Sequence, residues 1–199
     1  MKIHLAVLAS LILLPSVRAE NLITNGSADD DIPTFFLNDA IELSIRQGNP
    51  VTGFETGDEK SFAVKFLRDA IDRPLAFGLK EQIYIDPSKR YRFRISFHST
   101  GEATISCGAY AMNEQSAGKP LKKPDGAVWQ YNVGTPDGKR VLKTPTTEWV
   151  EMQAVVGPEG SEADFFWLPE TLSTGLAIWV TAPADTVLYI DNISAEELD

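Results

Sequence analysis

An all-β fold, an antiparallel β-sandwich, is what this sequence predicts, and three observations predict it. Apolar and polar residues alternate along most of the chain, clusters of turn-forming residues separate the alternating runs, and no stretch holds a convincing helical period. A period of two gives a strand one buried and one open face. Short strands of that kind, spaced by turns, pack as two antiparallel sheets.

The run 91-YRFRISFH-98 shows the pattern most fully: Tyr91, Phe93, Ile95 and Phe97 point one way, and Arg92, Arg94, Ser96 and His98 the other. Similar runs are 61-SFAVKFL-67, 82-QIYID-86, 103-ATISCGAYAM-112, 148-EWVEMQAVVG-157, 175-GLAIWVTA-182 and 186-TVLYIDNIS-194. Between them stand the turn signals 56-TGDE-59, 86-DPSKR-90, 124-PDG-126, 134-GTPDGK-139 and 157-GPEGSE-162. The polar, lysine-bearing stretch 113-NEQSAGKPLKKPDGA-127 is too short for a linker and reads as a long loop of the same domain. Alternation assigns Tyr91, Phe93, Ile95, Phe97, Ile105, Cys107, Ile178, Val180, Leu188 and Ile190 to the core, because a slip of one residue would turn all of them outward. Trp149 and Trp167 are assigned to packing, Trp167 within the continuous apolar run 165-FFWL-168.

The first nineteen residues have a different character. Lys2 and His4 precede the apolar 5-LAVLASLILL-14, and 15-PSVRA-19 leads to Glu20, the order of a secretory signal peptide. The apolar part is too short for a bilayer core, which needs about twenty residues. Residues 20–199 therefore read as a single exported domain, secreted or periplasmic, without membrane insertion. Loss of the leader leaves sixteen basic residues against twenty-eight acidic ones, a net charge of −12. That balance disfavours nucleic acid, which needs a basic footprint. It suits neutral ligands or a cation held between carboxylates. Cys107 is the only cysteine, so an intramolecular disulfide is excluded, and its place among Ala103, Ile105 and Ala109 makes it a small buried apolar residue.

No catalytic motif is present. His98, the one histidine outside the leader, sits on the outward side of its strand and reads as solvated. The nucleophile elbow, the H-E-x-x-H helix, the Walker loop and the zinc-type cysteine pair are all missing. Two carboxylates distant in sequence could still meet as a glycosidase pair, but twenty-eight acids give no means of selecting one. The expectation is a protein that binds and is not an enzyme.

Four pieces, in order, resemble carbohydrate-binding modules of families four, nine and twenty-two. Asn21-Leu22-Ile23-Thr24-Asn25-Gly26 is similar to their opening N-L-I-x-N-G, and 75-LAFGLKEQIYIDPSKRYRFRISFHS-99 to their strand, turn and aromatic strand. Thr147-Glu148-Trp149 resembles the start of a later strand, and Leu188-Tyr189-Ile190-Asp191-Asn192-Ile193-Ser194 the terminal one. The resemblance implies a galactose-binding-domain-like jelly roll that binds glycans without cleaving them. It also implies that the first and last strands lie together, with a structural calcium ion where they meet, held by Asp29 and Asp191. Calcium takes six to eight oxygens, which an aspartate-rich turn beside a second acid can help to supply. Asp30 and Asp31 flank that position; the alternative is that all three aspartates form a hydrated turn. The sequence departs from the family in having Ser27-Ala28-Asp29 where x-F-E is usual, and in lacking an early tryptophan, whose packing role falls to Phe35 and Phe36.

A sugar presents an apolar ring face and a rim of hydroxyls, so its site needs exposed aromatic planes flanked by amide, carboxylate or guanidinium groups. Trp129 and Tyr131, two apart in 127-AVWQYNV-133, share one face of a strand with Gln130 opposite. Arg92 and Arg94 lie on the polar side of the Tyr91 strand, Tyr110 on the polar side of the Cys107 strand, and Trp179 alternates with Ile178 and Val180. Together these are expected to line one concave sheet that takes a polysaccharide or oligosaccharide. The alternative for each aromatic is to cap the core or cover a loop. The alternative for the whole is a structural or adhesive extracellular domain binding a protein partner through a broad apolar patch.

Overall fold

The computed structural model describes residues 20–24, 26–28, 35–37, 39–47, 60–113, 119–134, 139–142 and 149–198. The expected leader and Asp29, Asp30 and Asp31 lie outside these residues. Thirteen strands are described: β1 (Phe35–Phe36), β2 (Ile41–Gln47), β3 (Lys60–Phe66), β4 (Leu75–Leu79), β5 (Ile83–Tyr84), β6 (Arg90–Ser99), β7 (Ala103–Met112), β8 (Gln130–Val133), β9 (Lys139–Leu142), β10 (Val150–Gly157), β11 (Phe165–Phe166), β12 (Ser173–Thr181) and β13 (Val187–Leu198). No helix occurs among the described residues. One sheet runs β1-β4-β12-β7-β8, with β5 also on β12 and β9 also on β7. The other runs β11-β10-β6-β13-β3-β2. Every ladder is antiparallel except the short β10–β11 pair, and the chain crosses repeatedly between the sheets, among other places from β6 to β7, from β9 to β10, from β11 to β12 and from β12 to β13. The fold is a jelly-roll sandwich.

The ten residues assigned to the core by alternation are all buried, none more than 2% exposed. Phe35 fills the early aromatic role, edge-on to Phe62 and Phe77 at 5.0 and 5.6 Å. Removing a side chain of this size from water contributes roughly 1.5–3 kcal/mol, so the alternation carries most of the folding drive. Trp167 packs as expected, with its indole N–H donating to the Lys89 carbonyl at 3.1 Å, but its neighbour Phe166 is 46% exposed. His98 faces outward yet is buried, because Trp149 and Tyr189 flank its ring at 6.0 and 5.8 Å. Part of the expected long loop is ordered as a hairpin: Lys122 and Val128 pair, and 124-PDG-126 makes the turn, with Gly126 at φ 84. Cys107 is fully buried and burial pushes its thiol up. It is therefore expected to resist thiol reagents until the protein unfolds; rapid labelling of the native protein would contradict its placement.

The chain ends meet at a bulge in β13. Up to Ile190, β13 pairs with β3; beyond the irregularity between Asp191 and Ser194 its free edge takes the N-terminal segment instead. Leu22 N–H donates to the Ala195 carbonyl at 2.8 Å and Ile193 N–H to the Gly26 carbonyl at 3.0 Å. The Asn21 side chain bridges this edge. Its Oδ1 accepts from the Ile23 and Ala195 amides at 3.1 and 3.0 Å, and its Nδ2 donates to the Ile193 carbonyl at 3.1 Å. Gly26 has no alternative, since a Cβ there would stand 1.9 Å from the Ile193 carbonyl oxygen. The N-L-I-x-N-G piece is thus a clasp that supplies β13 with a second partner.

Candidate functional site

On the outward side of the seven-stranded sheet, the middle strands carry small residues. Ala177 stands opposite Gly78 on one side and Gly108 on the other, and Gly175 lies next along β12 in the same outward set. Small residues lower that part of the sheet by the height of a side chain, so larger neighbours become walls. Tyr110, opposite Gly175, and Trp179 form an edge-to-face pair at 5.8 Å and 77°. The result is a groove of about 550 Å³ whose lining includes Tyr110, Met112, Pro120, Gly175, Ala177 and the 79–82 segment.

The polar rim is fixed from two directions. Glu81 accepts from the Thr24 amide and hydroxyl at 2.9 and 3.0 Å, which ties the groove wall to the N-terminal clasp. Gln82 donates from its amide to the Ser173 hydroxyl. Gln130, opposite Tyr110, lies over Gly108 and donates to Asn132 Oδ1 at 3.3 Å. Burial pushes the Tyr110 phenol up to about 12, so at neutral pH it stays protonated and able to donate as well as accept. An aromatic pair, a low floor and a rim of amides, with Lys80 and Glu81 beside each other, match the chemistry of a sugar's ring face and hydroxyls.

The structure brings Tyr110 and Trp179 together and separates the other expected ligand contacts. Arg92 and Arg94 lie on β6 of the six-stranded sheet, where Arg94 pairs with Glu196 at 3.6 Å; they share no face with Tyr110 or Trp129. Alternation gives a residue's face but not its sheet, and here β6 and β7, consecutive in the chain, belong to opposite layers. Tyr131 is a second correction. It is 2% exposed, its ring is edge-on to Trp167 at 5.1 Å, and its hydroxyl accepts from the Leu168 amide at 2.9 Å, so no ring face is open for stacking. Trp129 is half-buried beside the β8 edge, with the Lys123 ammonium 5.5 Å from its ring centre. Tyr84 was missed by the sequence reading. It is 76% exposed and stands opposite Ser173, whose hydroxyl accepts from the groove residue Gln82; its place between the inward Ile83 and Ile85 was the available signal.

Asp191 is buried at the β13 bulge, and its Oδ1 accepts from the Asn192 amide at 2.7 Å. No group of three or more metal-ligating side chains occurs among the described residues, and Asp29 lies outside them. Ser61 precedes Phe62 on β3, one residue beyond the last pair of the β3–β13 ladder, Phe62–Ile190. Its buried hydroxyl has no hydrogen-bond partner among the described residues.

The sequence matches no family model and no curated protein. Solved structures do match across most of the chain. One is the enzymatically active domain of tailspike protein 4 of bacteriophage CBA120, with a TM-score of 0.56 at 10% identity, covering 89% of this chain and 21% of that one. Another is the arabinose-bound α-L-arabinofuranosidase MgGH51, with a TM-score of 0.52 at 12% identity, covering 89% of this chain and 26% of the enzyme. The chain thus spans only about a fifth to a quarter of these two proteins. A third is the CBM22-1 xylan-binding domain of Paenibacillus barcinonensis Xyn10C, with a TM-score of 0.53 at 8% identity; here 91% of this chain covers 96% of the other. At such identities the likeness is one of fold, the jelly-roll sandwich that this chain shares with the xylan-binding domain over nearly the whole of both chains.

Proposed function

We propose that the protein is an exported, non-catalytic glycan-binding module of the kind found in carbohydrate-binding families four, nine and twenty-two, with its site in the groove on the seven-stranded sheet. The observation that carries this reading is the groove wall of Tyr110, braced edge-to-face by Trp179, beside the low floor of Gly175 and Ala177. The resemblance of the N-terminal and C-terminal pieces and the shared fold with a xylan-binding domain support it. An aromatic wall in a groove with a polar rim, rather than a broad apolar patch, is the feature that favours a glycan over a protein partner. Affinity electrophoresis through gels holding xylan, β-glucan, arabinan or galactan tests it: retardation by at least one is expected, and free migration through all of them would reject it.

A structural calcium ion held by Asp29 and Asp191 belongs to the same proposal. The buried Asp191 carboxylate and the Ser61 hydroxyl, which has no partner among the described residues, are oxygens of the right kind near this junction, and Asp29 would follow Ala28, which ends the clasp. Calcium at tenfold its dissociation constant is expected to stabilise the fold by about 1.4 kcal/mol, with magnesium doing much less and Asp191→Asn removing the effect. Equal thermal midpoints in chelator and calcium would leave 29-DDD-31 as a hydrated turn.

A further inference from the structure

A second groove, about 650 Å³, runs along the β8 edge and is lined by Trp129, Asn132, Phe166, Lys123 and Asp125 among others. It lies where the edges of the two sheets approach, with β8 from one and β11 from the other. Within β8, Tyr131 and Val133 turn into the core while Gln130 and Asn132 face outward, opposite Tyr110 and Gly108. The two amides are joined to each other. Gln130 stands opposite Tyr110, a wall of the first groove, and both amides line the second.

From this we infer that the two grooves form one track, over which an internal stretch of an uncharged linear glycan passes from Tyr110, across the Gln130–Asn132 lip, to Trp129 and Phe166. The inference rests on the glycan-binding reading of the first groove. Three observations carry it. The lip is made of amides, which can donate and accept along a chain of hydroxyls whatever its direction. Both grooves offer aromatic surface, and Phe166 is 46% exposed at the far one. The charges cancel locally, Lys80 beside Glu81 in the first groove and Lys123 with Asp125 in the second, so neither favours an ionised polymer.

The test uses the full exported chain and oligosaccharides of increasing length cut from whichever of xylan, β-glucan, arabinan and galactan retards it. Calorimetric affinity should rise with length beyond the shortest oligosaccharide that binds. Trp129→Ala and Phe166→Ala should each weaken the longest oligosaccharide about tenfold, equivalent to 1.4 kcal/mol, and leave the shortest unchanged, whereas Tyr110→Ala should weaken every length. Phe166→Ala serves if Trp129→Ala fails to fold, since Phe166 is largely exposed. Affinity independent of length, or edge variants that bind long chains as the parent does while Tyr110→Ala fails, would overturn the track and leave the first groove standing. Retardation by none of the four polymers would reject both readings, and edge variants losing all binding while Tyr110→Ala keeps it would move the site to the β8 edge.

Discussion

Gly26→Ala is expected to destabilise the fold by about 2 to 4 kcal/mol, the combined scale of a forced overpacking and of lost backbone hydrogen bonds. The new methyl group would stand 1.9 Å from the Ile193 carbonyl oxygen and 3.0 Å from its carbon. Both are backbone atoms, so no side-chain rotation relieves the overlap. The clasp must open, releasing the Ile193–Gly26 hydrogen bond and the Asn21 contacts that follow it. For a domain of this size the thermal midpoint should fall on the order of 10 °C. Gly126→Ala and Gly160→Ala provide the contrast: both glycines have φ 84 with nothing within 4 Å of an added Cβ, so only the left-handed backbone penalty of about 1 to 2 kcal/mol applies. An unchanged midpoint in Gly26→Ala would mean that the N-terminal segment does not close the β13 edge.

The second large effect concerns binding. Tyr110→Ala and Trp179→Ala should each weaken the retained polysaccharide by roughly thirtyfold or more, the ~2 kcal/mol typical of an aromatic hot spot. The thermal midpoint should change little, because both rings stand on the outer face rather than in the core. Arg94→Ala should bind as the parent does, since Arg94 lies on the other sheet beside Glu196. Should Arg94→Ala lose affinity while Tyr110→Ala keeps it, the site would belong to the six-stranded sheet.

Which of these features could be read from sequence depended on the range of the interaction that sets them. The inward residues of β6, β7, β12 and β13 were legible because the period of two is local: Tyr91, Phe93, Ile95 and Phe97 alternate with Arg92, Arg94 and Ser96, and each of the four is buried. The outward placement of Tyr110 and Trp179 followed from the same rule. The rule also held the answer for Tyr131, which alternates with the polar Gln130 and Asn132 exactly as a buried tyrosine should, although its nearness to Trp129 drew it into the binding set. Sheet membership was not legible. Nothing local to Arg92 or Arg94 says that β6 pairs with β10 and β13 while β7 pairs with β12 and β8, and that long-range choice separated the arginines from the groove. The burial of His98 was hidden for the same reason, since Trp149 and Tyr189 reach it only through strand pairing.

The groove assignment can be read residue by residue from amide chemical shifts of the isotope-labelled protein titrated with an oligosaccharide of the polymer that retards it. Perturbations are expected at Tyr84, Gly108, Tyr110, Gly175, Ala177 and Trp179, with Arg92, Arg94 and Glu196 unmoved. Shifts confined to those last three, or no shift at saturating oligosaccharide, would contradict a binding site on the seven-stranded sheet.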